Sequence, residues 1–378
     1  MQVSERLAIR MTKLEEARLA INRIDAEMAK LFCERMEAVG KVAEYKKENG
    51  MQIFDETREK EVLARNVQLC EQEVLKPYYL KFMEETMAVS KQYQKRLLTG
   101  RRVAYCGVKG AFAYMAAKEI FPDSKEVSYP DFAAAYRAVV EGECDNAVLP
   151  LENSFEGDVT QVMDLAFFGP LFISGIYQLE IKQNLLTVPG AKLTDIRKVI
   201  SHPQALGQCA PYLKKLGVEI EECSNTAVAA QRVAELGDKS IAAVASEETA
   251  KLYGLTVLEK GINEKSNNIT RFAVFTKSAA VPTEKDKQFI MYFTVNNHAG
   301  SLGRVTSIFG EYGINLRALR SRPTKELVWE YYFYVEGEGN ITSERWESMM
   351  EELKECTAEI KMVAAYEKDV VLKHSDEE

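Results

Sequence analysis

The sequence predicts a multidomain protein: an all-α module, then an α/β domain, then an α+β module. Three observations carry this. Between residues 12 and 98 the only glycines and prolines are Gly40, Gly50 and Pro77, so helix breakers are nearly absent. From Arg101 to about Lys277 short apolar runs alternate with helical stretches, as in a sheet flanked by helices. From Phe289 the segments read strand, helix, strand, strand, helix, strand. A length of 378 residues suits two or three such cores.

In the first module Leu14, Ile21, Ile24, Met28, Leu31 and Val42 recur at helical spacing. Composition changes at Thr99-Gly100-Arg101-Arg102. Beyond it VAYC, NAVLPLEN, KVIS, SIAAVAS and RFAVFT are strand candidates, which predicts a largely parallel or mixed sheet. SAAVPTEKDK reads as a linker. After it come FIMYFTV, the helix SLGRVTSIFGEY, INLRALRS, LVWEYYFYVE, the helix SERWESMMEELKE and IKMVAAY, a βαββαβ order of the ferredoxin-like kind. The expected domains are 1–98, 101–278 and 287–368, with a disordered tail KHSDEE.

Composition narrows the function. A net charge of -8 argues against a general nucleic-acid binder. The charged start lacks a signal-peptide core and no later stretch is a plausible span, so a cytoplasmic location is expected. Seven cysteines without a C-x-x-C pair suggest reduced thiols in packing roles, and three histidines make a multi-histidine metal site improbable. No cofactor and no metal is expected.

A small dianion needs fixed cations, and arginine grips carboxylates through its forked donors. Arg35 and Lys46 lie 11 residues apart on one helix face, about 16 Å along the axis at ~1.5 Å per residue. Arg18 lies 17 residues before Arg35, roughly 25 Å away and rotated off that face, so it should serve another copy of the site. Asp55, Arg58 and Glu59 fall at i, i+3 and i+4 on a second helix, and Ser90 and Gln94 at i and i+4 on a third, so each set can face one pocket. Read singly, each of these charges suits a solvated helix face. As an ordered set, with Asp25 and Glu34, the run resembles the all-helical chorismate mutase family, whose long helices from two chains interlock and lend each other an arginine. The resemblance implies that Arg18 and Arg35 hold the substrate carboxylates, Lys46 and Gln94 donate to the ether oxygen, and Glu59 binds the hydroxyl. Asp55, Arg58 and Ser90 line the site. A pericyclic rearrangement needs no nucleophile or metal, only a held conformer and stabilised charge.

In the central domain Gly107-Val108-Lys109-Gly110-Ala111-Phe112, Pro150-Leu151-Glu152-Asn153-Ser154, Ser201-His202-Pro203-Gln204-Ala205 and Thr270-Arg271-Phe272 sit at strand ends, where open α/β sheets bind ligands. With Asn225-Thr226-Ala227 and Tyr253-Gly254-Leu255 they resemble the prephenate dehydratase family over nearly all of 101–278. The resemblance implies two α/β lobes with substrate between them and an essential threonine, Thr270. On this reading Thr270 donates a hydrogen bond within a relay, Arg271 is the anion partner, and Asn153 and Ser154 orient substrate or relay. His202 is expected to bond backbone rather than act as the acid, and Glu152 to satisfy loop amides. Where the family's opening motif carries hydroxyls, this chain has Ala111 and Ala113.

A glycine loop opening a helix exposes amides that receive carboxylates. Asn297-His298-Ala299-Gly300-Ser301-Leu302-Gly303, Ile314-Asn315-Leu316, Ser321-Arg322-Pro323 and Trp329-Glu330-Tyr331-Tyr332-Phe333 together resemble the ACT domain of phenylalanine-regulated dehydratases. That implies an effector site of Gly300, Ser301, Leu302, Ser321 and Arg322 between paired modules; Arg320 replaces the family's usual glutamate. The function expected is a bifunctional enzyme of phenylalanine biosynthesis, working on chorismate and prephenate, with phenylalanine as effector and a homodimer or dimer of dimers as assembly. The alternatives are a non-catalytic amino-acid sensor, an enzyme retaining one activity, and a mutase fused to a dehydrogenase. The last would need a G-x-G-x-x-G loop, which Gly107-Val108-Lys109-Gly110 does not supply.

Overall fold

The computed structural model describes residues 12–264, 267–296, 298–324 and 331–372. The chain forms two compact units, Met1–Gly100 and Arg101–Glu378. The tail KHSDEE, Asn297, Trp329 and Glu330 lie outside the described residues.

The described part of the first unit is all helical, as its composition predicts, and contains three α-helices. α1 (Lys13–Glu48) runs 36 residues unbroken, about 54 Å at ~1.5 Å per residue. Thr12 starts it: its hydroxyl accepts from the Glu15 amide while the Glu15 carboxylate accepts from the Thr12 amide, so two end donors are satisfied reciprocally. α2 (Glu56–Val67) is capped by Asp55, and α3 (Lys76–Thr99) carries Pro77 in its first turn and ends at Gly100. α3 packs on both other helices. The first part of α1 packs on neither. Residues 12–34 are exposed throughout, including Leu14, Ile21, Ile24, Met28 and Leu31, so the apolar spacing marks the helix correctly but finds no cover among the described residues.

The second unit begins with β1 (Arg102–Cys106), α4 (Phe112–Ile120), β2 (Lys125–Tyr129), α5 (Phe132–Val140), β3 (Asn146–Asn153), β4 (Gly157–Asp158), α6 (Thr160–Phe168) and β5 (Phe172–Glu180). The chain then crosses into a second lobe: β6 (Asn184–Thr187), β7 (Lys198–Ser201), α7 (Pro203–Gln208), α8 (Ala210–Leu216), β8 (Glu219–Glu222), α9 (Thr226–Leu236), β9 (Ile241–Ala245), α10 (Glu247–Tyr253) and β10 (Thr256–Glu259). It returns as β11 (Ile269–Thr276), which lies antiparallel between β3 and β5. The second lobe has its own sheet, β10-β6-β9-β7-β8. Both sheets mix parallel and antiparallel pairs, as expected. Strand β3 bulges where Arg271 pairs with Glu152 but Phe272 pairs with Pro150. Pro150 has no amide to give a ladder, and a bulge is where a strand accommodates that.

The last module is β12 (Gln288–Thr294), α11 (Ser301–Glu311), β13 (Asn315–Pro323), β14 (Tyr331–Glu338), α12 (Glu344–Cys356) and β15 (Glu359–Tyr366), the βαββαβ order read from sequence. Its sheet joins the first lobe's through β15 and β5, giving β13-β14-β12-β15-β5-β11-β3-β1-β2, and a short β16 (Val370–Val371) also pairs with β5. One face of this four-strand portion buries Phe289, Phe293 and Val335 under α11 and α12. The other face shares a core with the first lobe, where Tyr292, Tyr332 and Tyr334 meet Met163 and Phe275. Phe167 of α6 stacks on Tyr332 at 4.2 Å between ring centroids. The dehydratase-like lobe and the ferredoxin-like module are therefore one packed body.

Candidate functional site

In the helical unit Arg35 donates to the Ser90 hydroxyl, which in turn donates to the Thr86 carbonyl at 2.6 Å. Burial lowers the Arg35 pKa from its ordinary value. Gln94, one turn beyond Ser90, is buried, and its Oε1 has no partner among the described residues. Ser90 and Gln94, four residues apart, share one face of α3, so an arginine-bound hydroxyl and a buried amide oxygen without a partner among the described residues stand on the same side of the helix. Lys46, in the last turn of α1, donates to the Ile53 carbonyl at 2.6 Å. Glu59 turns toward α3, where Lys91, which sequence reasoning did not single out, pairs with it at 2.8 Å.

Three expected members stand elsewhere. Asp55 spends its carboxylate capping α2, accepting from the Arg58 amide at 3.0 Å. Arg58 pairs with Glu61 in solvent, 61% exposed, because a residue one position from Glu59 is turned about 100° off its face. Arg18 lies on the exposed part of α1.

Between the two lobes of the second unit lies a cleft of about 80 Å³ lined by Phe112, Asn153, Gln183, Gln208, Thr226 and Thr270, together with His202 and Gln204. These residues come from both lobes. The Asn153 Oδ1 accepts from the Phe155 and Glu156 amides at 3.0 and 3.2 Å, which fixes the amide's orientation. Its Nδ2 must then donate, and it reaches the Thr270 hydroxyl and the Asn268 Oδ1, each at 2.9 Å. Asn268 donates on to the Gln208 Oε1 at 2.8 Å, so an amide relay runs from Thr270 to the second lobe. With Oγ1 accepting, the Thr270 proton is left to donate outward, strengthened by the chain behind it. Asn268 was not foreseen, although lying two residues before Thr270 puts it on the same face of the strand.

His202 caps α7, its Nδ1 accepting from the Gln204 amide at 3.3 Å, as expected of a backbone-bonded histidine; the proton of the neutral ring then sits on Nε2. Ser154 is bound to backbone, donating to the Asn267 carbonyl and accepting from the Ile269 amide at 3.0 Å each, and is exposed. Gly107 and Gly110 hold φ of 101° and 92°, which brings their loop against the second lobe: Thr249 donates to the Gly110 carbonyl at 2.9 Å.

Arg271 is not at the cleft. It points from the other side of β11, where Glu152 and Glu336 lie 2.9 and 2.8 Å from Nη1 and Asp369 lies 2.9 Å from Nε. Adjacent strand residues face opposite ways, so Thr270 and Arg271 cannot share a pocket. Burial opposes its charge, but the Glu336 and Asp369 carboxylates outweigh it and raise the pKa above the ordinary arginine value. Glu152 likewise serves ion pairs, with Arg271 and with Arg320 at 3.4 Å, rather than loop amides.

In the last module Gly300, at φ 90°, opens α11 ahead of Ser301 and Leu302, and the His298 Nδ1 lies 3.1 Å from the Ser301 hydroxyl. Ser321 is exposed on one side of β13 and Arg322 turns to the other. There Arg322 binds Asp164 of α6 at 2.9 and 3.1 Å, and Arg320 binds Asp158 at 2.9 Å. Both arginines are held by the first lobe. The cation at position 320 therefore has a partner within the chain.

A bonded arginine and a buried carboxamide in the helical unit, and a hydroxyl–amide relay in an interlobe cleft, mark a two-site enzyme with an appended ferredoxin-like module. Residues 17–95 match the family model Chorismate mutase type II, 103–280 Prephenate dehydratase and 290–344 ACT domain. The chain is 33% identical over 371 residues to the bifunctional chorismate mutase/prephenate dehydratase of Aquifex aeolicus (strain VF5), covering 95% of this chain and 99% of that one. It is 31% identical over 366 residues to the protein of the same description from Buchnera aphidicola subsp. Acyrthosiphon pisum (strain APS), covering 92% and 94%. Among solved structures it resembles prephenate dehydratase in complex with L-Phe from Arthrobacter aurescens, with a TM-score of 0.65, 25% identity and coverage of 72% of this chain and 93% of that one. The chain belongs to the bifunctional chorismate mutase/prephenate dehydratase family.

Proposed function

We propose that the chain converts chorismate to prephenate in its helical unit and prephenate to phenylpyruvate in its interlobe cleft, under feedback by phenylalanine at the ACT module. The observation that carries the second activity is the Asn153–Thr270 pair. In the prephenate dianion the bond from ring to carboxylate breaks, CO2 leaves, and the electron pair aromatises the ring as hydroxide departs. One proton is consumed to release that hydroxide as water. Thr270, polarised by Asn153, hydrogen-bonds the departing hydroxyl. Among the described residues that line the cleft, the carboxamides of Gln183, Gln204 and Gln208 and the helix starts at Phe112 and Thr226 are placed to receive the carboxylates. A cleft of about 80 Å³ is far below the roughly 300 Å³ of a small-ligand site, so the lobes part about their two crossovers to admit substrate.

For the mutase, Arg35, Lys46 and Gln94 hold the compact conformer of chorismate, Gln94 through its amide hydrogens, and Glu59 takes the hydroxyl. The exposed apolar residues of α1 support a homodimer in which Arg18 completes the partner's site. Gly300, Ser301, Leu302 and Ser321 receive phenylalanine between paired modules, while Arg322, bound to Asp164 on the other side of β13, supports that strand from behind. The proposed setting is the cytoplasm; no described helix is long and apolar enough to cross a membrane.

Incubation with chorismate, following prephenate and phenylpyruvate separately, tests the two steps. Arg35→Ala should abolish the first and Thr270→Ala the second; a variant losing both defeats the two-site reading. Mixing Arg18→Ala with Arg35→Ala chains should restore about a quarter of mutase activity, since each mixed dimer holds one intact site. No recovery would place Arg18 in its own chain's site.

A further inference from the structure

Two cross-strand pairs occupy the same stretch of β3 and β11, one on each face. Thr270 pairs with Asn153 toward the cleft, and Arg271 pairs with Glu152 behind it. The register slips immediately afterward, between Arg271 and Phe272. A bulge re-aims the side chains around it, so the Thr270–Asn153 geometry depends on what pins the two strands at that point.

Arg271 is what pins them. An arginine has five N–H donors, and here Nε goes to Asp369, Nη1 to Glu152 and Glu336, and Nη2 to Glu336 and Asp369. None is left for a substrate carboxylate. Glu336 belongs to β14 and receives the Tyr334 hydroxyl as well; Asp369 lies before β16 and also receives the Gln178 amide at 2.9 Å. The Glu336 and Asp369 side chains are 5% and 7% exposed, so water does not replace Arg271 as their partner. Arg320 of β13 reaches the second oxygen of Glu152. Behind the ribbon, Arg271 and Glu152 are thus gripped by Glu336 and Arg320 of the carboxy-terminal module and by Asp369 of its tail.

We propose that Arg271 is a positioning residue for dehydration: by clamping Glu152 to Glu336 and Asp369 it holds the bulged ribbon in the register that sets Asn153 against Thr270. The carboxy-terminal module then completes the dehydratase site whether or not an effector is bound. This rests on the reading of Thr270 as the hydrogen-bond donor.

The test is steady-state kinetics of the full-length enzyme carrying Glu336→Gln, Asp369→Asn or Arg271→Lys, with mutase activity as the folding control in each preparation. Glu336→Gln and Asp369→Asn preserve side-chain shape and keep the test valid if Arg271→Lys does not fold. Each should lower dehydratase kcat about 10-fold or more while KM for prephenate stays within about threefold and the mutase is unchanged. Unchanged kcat in Glu336→Gln and Asp369→Asn overturns the proposal. A raised KM with kcat intact also overturns it, by returning Arg271 to substrate binding. Thr270→Val in the same assay separates the two layers: full turnover there defeats the donor reading itself, whereas lost turnover there beside unaffected Glu336→Gln defeats only the positioning role.

Discussion

Asn153 donates to the Thr270 hydroxyl at 2.9 Å across the β3–β11 pair, while its own carbonyl oxygen is held by two backbone amides. The direction of that hydrogen bond is therefore set by the backbone and not by the side chains. Asn153→Asp keeps an acceptor for the Phe155 and Glu156 amides but turns a second acceptor toward Thr270. Dehydratase kcat should fall by about 10²-fold, the scale of losing one preorganised donor, with the mutase unaffected. Protonation lets the new carboxyl donate, so the residual rate should rise as pH falls through its pKa. A flat pH–rate profile with normal turnover would show that the donor is not needed.

Gln94 is a buried neutral amide on α3, and the proposed mutase reading has it donate to the ether oxygen. Gln94→Glu places there a group that can donate only when protonated. The variant's mutase rate should be highest in acid and fall as pH rises through the carboxyl pKa, whereas the parent enzyme shows no such limb. Chorismate turnover measured across pH checks this, and a variant with the parent's profile would remove Gln94 from the ether oxygen.

Gly110 sits at φ 92°, and a Cβ there would lie 3.2 Å from Leu252 Cδ2 and 3.3 Å from Thr249 Oγ1 in the other lobe. Gly110→Ala should cost about 1–3 kcal/mol of backbone strain, borne where the lobes meet. The expected result is a higher KM for prephenate and an earlier thermal transition, with mutase kinetics intact. Equal effects on both activities would contradict a local origin.

The capping box at the head of α1 makes that end acid-sensitive. The Thr12 amide, and then its hydroxyl, hold the Glu15 carboxyl below its ordinary pKa of 4.5. A depressed carboxyl contributes stability that is fully present above the ordinary value and is lost as pH falls through the folded one. The protection of first-turn amides of α1, measured as exchange relative to an unstructured peptide at the same pH, should therefore fall below about pH 4.5 in the parent and be low at all pH in Glu15→Ala. Protection unchanged down to the acid limit would mean the box does not hold the end.

Much of this was legible in the chain. The absence of breakers announced an all-helical module, alternating runs announced an α/β domain, and strand-helix-strand order announced the last module, whereas the two lobes came only from the family resemblance. Ser90 and Gln94 share a helix face because they are four apart, and the structure buries both. The same arithmetic, applied strictly, separates Arg58 from Glu59 and Arg271 from Thr270, since neighbours on a helix or strand diverge in direction. Local periodicity thus determines which residues face together and which are turned apart.

Periodicity says nothing about what a face meets. Glu336 and Asp369 lie 65 and 98 residues beyond Arg271, and only sheet order, with β15 and β16 laid against β5, brings them to it. Asp164 likewise meets Arg322 from 158 residues away. Such ion pairs need no local signature, because a buried charge requires a partner and not a particular spacing. The sequence by itself determined the elements, their order and the hydroxyl at Thr270. The tertiary structure decided that the arginine beside it serves the protein's own carboxylates, because all five of its donors are already engaged on the far side of the strand.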